Sequence, residues 1–107
     1  MLDGFYKARF TKSDSEPMLG LITLANGKLF GGNSDFMLFG NCKHSGGALS
    51  AEVQINPLSF DRTSGMFREG GNLNIVGQGG PQTIMCNCHS PQSPDDGMQV
   101  VLERVQF

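Results

Sequence analysis

Apolar and polar residues alternate with a period of two through most of this chain, and the alternation falls into eight short segments. Residues 4–11 set the pattern, with Tyr6, Ala8 and Phe10 on one side and Phe5, Lys7 and Arg9 on the other. Residues 48–56 are the cleanest case, placing Leu49, Ala51, Val53 and Ile55 against Ser50, Glu52, Gln54 and Asn56. A one-residue slip there would turn four apolar side chains into water, so the facing is well specified. The other predicted strands are 18–25, 28–30, 36–43, 72–77, 81–90 and 98–107. No segment carries a helical period. For 18–25 the pattern leaves open whether Gly20, Ile22 and Leu24 or Leu19 and Leu21 face inward.

Turn chemistry separates the segments. Asn26-Gly27 is the strongest hairpin signal, because both residues tolerate the positive φ of a type I′ turn. Gly31 to Asp35, His44 to Gly47 and the loop 91–97 break the pattern elsewhere, and Gly77 to Gly80 is expected as a bend or bulge between strands. Residues 57–71 form the one long irregular stretch. With Phe60, Met66 and Phe67 it is too apolar to float free, so it is expected to fold across one barrel end as loop or short helical turn.

One-sided strands need a shared core, and successive strands with short connections favour a meander. Eight of them can close on themselves and remove both edges. The expected fold is therefore all-β, a single domain over 1–107, built as an eight-stranded antiparallel up-and-down barrel. Its interior is expected to hold Tyr6, Phe10, Ile22, Phe36, Leu38, Leu49, Val53, Ile55, Leu73 and Ile84. Met37, Phe39, Val101, Val105 and Phe107 are apolar on the outward register, which suggests a homodimer or partner surface.

Composition narrows the function. A net charge of −2 and pI near 5.5 oppose direct nucleic-acid binding, and Lys7, Arg9 and Lys12 are too few to form a phosphate-binding face. No stretch of about 18 apolar residues occurs, nor a basic and apolar leader pattern, so no membrane span is expected. The three cysteines form no disulfide framework, which points to reduced thiols in a cytoplasm. Cys86-Asn87-Cys88-His89, with Cys42 and His44, suggests a metal site at first sight. Yet Cys86 and Cys88 share one strand face while His89 takes the other, and Cys-x-Cys along a strand is not a zinc knuckle. Buried thiols serving as small hydrophobes are the simpler reading. No nucleophile elbow or phosphate cradle is present, so no enzyme and no cofactor are expected.

Asp3-Gly4-x-Tyr6-x-x-x-Phe10, Gly20, Asn26-Gly27, Gly31-Gly32 and Gly40, in that order and spacing, resemble the GrlR-like negative regulators of type III secretion. The resemblance runs nearly end to end and is most specific over residues 3 to 40. It implies a lipocalin-like barrel, a homodimer, cytoplasmic residence, and repression by binding a transcriptional activator protein. Two positions depart from that pattern. Asn33 stands where family members often carry Asp, and the turn Cys42-Lys43-His44-Ser45-Gly46-Gly47 lacks the acidic tract with which the enteric regulators contact their activator. Two other functions fit the residues: a carrier or sensor of an apolar small molecule held inside the barrel, or a metal- or thiol-based redox sensor using Cys42, Cys86 and Cys88.

Overall fold

A computed structural model describes residues 3–12, 16–58, 71–80, 82–90 and 93–106, with side chains of 93–96 left aside. All its regular elements are strands: β1 Gly4–Thr11, β2 Met18–Ala25, β3 Lys28–Gly32, β4 Phe36–Ser45, β5 Ala48–Pro57, β6 Gly71–Gly79, β7 Thr83–Ser90 and β8 Ser93–Arg104. Each pairs antiparallel with the next, and β8 returns to β1, giving a closed up-and-down barrel. A lipocalin-like architecture is consistent with this. No described helix is long and apolar enough to cross a membrane.

Closure depends on the two ends of the chain meeting. Tyr6 sits opposite Arg104, Ala8 opposite Leu102 and Phe10 opposite Val100. Because the side-chain period is two, this register sends Tyr6, Ala8, Phe10, Val100 and Leu102 to the same inner side. The seam adds a bond beyond the ladder, where the Val105 N–H donates to the Phe5 carbonyl at 2.8 Å.

Seven inward positions of the strands carry glycine. At five of them, Gly20, Gly31, Gly40, Gly77 and Gly79, the neighbouring strand's backbone occupies the space a Cβ would need; at Gly40 that neighbour is the Glu52 carbonyl. Glycine in a strand usually costs entropy, but here it lets a small barrel bend tightly. This corrects the expectation for Gly77 to Gly80. Gly77 and Gly79 lie within β6, pressed against β7, and do not form a bend between strands. Gly31 and Gly32 likewise extend β3, where a break was expected.

The two short hairpins follow their turn residues. Asn26 and Gly27 take φ of 53° and 78°, and Gly46 and Gly47 take 58° and 86°. Left-handed values at both central residues identify the type I′ geometry that matches strand twist. The β3–β4 connection is held by Asn33, whose Oδ1 accepts from the Asp35 and Phe36 N–H groups at 2.8 and 3.2 Å. Its Nδ2 donates to the Leu19 carbonyl at 2.9 Å. An aspartate could make the first two bonds but not the third.

β8 begins inside the predicted 91–97 loop, its ladder shifted by a bulge at His89/Ser90. The expected barrel-end cover by 57–71 falls largely on residues 59–70, outside the described residues.

Gly40→Ala is expected to cost roughly 1–3 kcal/mol through overpacking against a backbone that cannot yield. Gly80→Ala, with open space around it, should be neutral or slightly stabilising. Urea denaturation of the two variants separates them; equal stability would mean that close strand approach at Gly40 is unimportant.

Candidate functional site

The barrel interior is the first place to look for a binding site. All ten expected interior residues are buried, together with eleven more that include Leu24, Leu29, Ile75 and the three cysteines. None exposes more than 7% of its surface. Phe10 and Phe36 meet edge to face, with centroids 5.6 Å apart. Side chains fill the interior among the described residues, one of the two arrangements open to an eight-stranded barrel. For β2 the ambiguity resolves in favour of Ile22 and Leu24, leaving Leu19 and Leu21 outside at 65% and 62% exposure.

The thiols are part of this packing. Cys42, Cys86 and Cys88 are free and buried. Burial pushes the Cys86 thiol up to about 11. It pushes Cys88 up to about 12, with the neighbouring Cys86 adding to the effect. Cys42 is raised first by burial and then by the nearby Asp3 carboxylate. Such thiols stay protonated at neutral pH and are poor nucleophiles and poor metal ligands. Among the described residues no three His, Cys, Asp or Glu side chains converge as a donor set. His89 pairs across the ladder with outward Asn74, whereas Cys88 pairs with buried Ile75.

A polar cluster closes one barrel end. Arg104 donates from Nη1 to the Asp3 carbonyl and from Nη2 to the Tyr6 hydroxyl, both at 2.9 Å. Its guanidinium carbon lies 5.1 Å from the Tyr6 ring centroid, a cation–π distance. Asp3 accepts from the Asn26 N–H at Oδ2 over 3.3 Å, and its Oδ1 lies 3.5 Å from His44 Nε2. That Oδ1 is shut off from solvent and has no hydrogen-bond partner among the described groups. The cluster thus ties the residues before β1 to the end of β8, the β2–β3 turn and the end of β4. The adjacent Cys42 thiol is held protonated by burial and by the Asp3 carboxylate. We read the cluster as a latch on the closure seam. Continuing the β8 alternation from Met98, Val100 and Leu102 by one step would have found Arg104.

The outer wall is where the described structure leaves unspent chemistry. Met37 and Phe39 are exposed at 47% and 42%, while Val101 and Val105 are half-buried and Phe107 lies outside the described residues. Grouping them as one surface requires correction. β4 and β8 stand on opposite sides of the barrel, with three strands between them in either direction. The apolar area around Met37 and Phe39 instead continues across β3 to β1. Phe5, Thr23, Phe30 and Phe39 occupy one outward row, and Lys7, Leu21, Gly32 and Met37 the next. With Leu19, six large apolar side chains are exposed on these four strands. A smaller pair, Val76 and Met85, is exposed on β6 and β7. The missed signal was the β2 ambiguity, since either assignment had to leave some of its large apolar side chains outside.

Compared with known proteins, the chain matches no family model and no curated protein.

Two measurements test this site. Arg104→Leu is expected to cost about 1.5–3 kcal/mol, because it removes charge-assisted bonds and leaves the Asp3 carbonyl without that donor. In a double-mutant cycle with Tyr6→Phe, urea denaturation should show non-additive losses; additivity would dissolve the latch. The thiols give a pH test. Their folded-state values stand above the ordinary value of 9, so the folded state holds protons that the unfolded chain releases. Stability should be level below pH 9 and fall as pH rises through 11 to 12, with the Cys86→Ala/Cys88→Ala variant showing a shallower fall. An identical alkaline slope in both proteins would contradict the assignment.

Proposed function

We propose that this chain is a small non-enzymatic regulatory protein that acts by binding another protein through the outer face of β1–β4. The observation that carries the reading is the cluster of six exposed large apolar side chains on adjacent strands. Monomeric proteins rarely leave such contiguous patches without a use. The packed interior supports the same reading, because it leaves the wall and the barrel ends as the surfaces available for recognition. The resemblance to GrlR-like negative regulators supplies the kind of work: holding a transcriptional activator away from its target.

The contact surface in this reading differs from the acidic turn of the enteric regulators. The corresponding turn is a tight Gly46-Gly47 hairpin beside exposed Lys43 and half-buried His44, and it offers no carboxylate. Binding through β1–β4 accommodates that difference.

Co-expression with a type III secretion activator should lower an activator-driven reporter, and Phe30→Glu/Phe39→Glu should restore it while leaving the circular dichroism spectrum unchanged. A reporter indifferent to the wild-type protein would sink the reading.

A further inference from the structure

Resting on that reading, we propose that the occupant of the β1–β4 face is an acidic amphipathic helix of the partner. Among the described residues every strand has a paired neighbour on both sides, so backbone strand addition has no full edge to use. Recognition has to use side chains. Leu19, Leu21, Phe30 and Met37 form an apolar strip over β2–β4, and outward Gly32 leaves bare backbone between Leu21 and Met37. Adjacent strands lie about 4.8 Å apart, so the strip is about 10 Å wide, the diameter of a helix with its side chains.

Charge selects among possible occupants. Every charged residue on β1–β4 is basic: Lys7, Arg9, Lys28 and Lys43, all exposed. Lys7 stands directly between Leu21 and Glu103 of β8, and Arg9 directly between Leu19 and Val101. The Lys28 ammonium, held at 2.7 Å from Asn41 Oδ1, lies toward the β2–β3 turn. This basic face belongs to a chain whose net charge is −2. A second copy would bring the same four cations to the contact and no carboxylate from these strands. A helix with an apolar stripe and flanking Glu or Asp fits the strip, meets Lys7 and Arg9 beside it, and steers its own approach.

The test uses two fluorescein-labelled peptides of about 18 residues, or five helical turns, with the same Leu stripe. One is flanked by Glu and the other by Lys. The full-length protein is expected to bind the Glu peptide at least about tenfold more tightly, with the preference shrinking as salt rises. Lys7→Glu/Arg9→Glu should weaken the Glu peptide about tenfold or more and strengthen the Lys peptide. Leu21→Ser/Phe30→Ser should weaken both, with urea midpoints confirming that each variant is folded. Equal binding of both peptides, binding of neither, sedimentation as a dimer that the charge reversal breaks, or capture only by phosphatidylserine-containing vesicles would overturn the proposal. The reporter assay separates the two levels. If the apolar variant derepresses and the charge reversal does not, protein binding stands and the acidic helix falls.

Discussion

The pairing of β1 with β8 is the constraint on which the molecule depends. Every other strand pairing joins neighbours in the chain, but this one joins residues about a hundred positions apart. Without it the sheet has two raw edges, and its apolar side has no opposite wall to pack against. With it, each inward side chain faces others across a small enclosed space, and hydrophobic burial becomes a collective property of the ring. The Arg104–Asp3–Tyr6 contacts lie on this seam at one barrel end. Inward glycines permit the curvature the ring requires, at the expense of local strand propensity.

Closure also determines where function can reside. A larger barrel could reserve its interior for a ligand, whereas here Phe10, Phe36, Tyr6 and their neighbours take that space. Raised thiol values follow from the same packing and hold Cys86 and Cys88 in the protonated form at neutral pH. What remains is an exterior divided unevenly: β1–β4 carry exposed rings, leucines and cations, while the outward rows of β5–β7 are dominated by Asn, Gln, Ser and Thr.

Much of the barrel could be read from alternation alone, since period-two patterning states both element type and facing. The bounds of β1 and β2 came directly from it, and the ten expected interior positions are all inside. Glycine caused the principal errors. Gly31, Gly32, Gly77 and Gly79 look like punctuation in one dimension, yet they lie within strands because a neighbouring backbone needs their missing Cβ. That need is tertiary and leaves no local trace. The outer face was harder for a related reason. Neighbours on a sheet lie far apart in sequence, so the link from Leu21 through Phe30 to Phe39 appears only once the register is known. The same register sets Met37 and Val101 on opposite walls, a separation no sequence spacing could reveal.

Because the closing seam brings the residues around Asp3 and Val105 together, connectivity at that point is separable from architecture. A short bridge could join them, and the chain could be reopened at the Gly46-Gly47 hairpin tip. The permuted protein would turn the β1–β8 pairing into a local one and make the β4–β5 pairing the remote one. A ring keeps one remote pairing wherever it is cut, so the rearranged chain should reach the same barrel with its wall chemistry intact but gain no folding speed from local pairing.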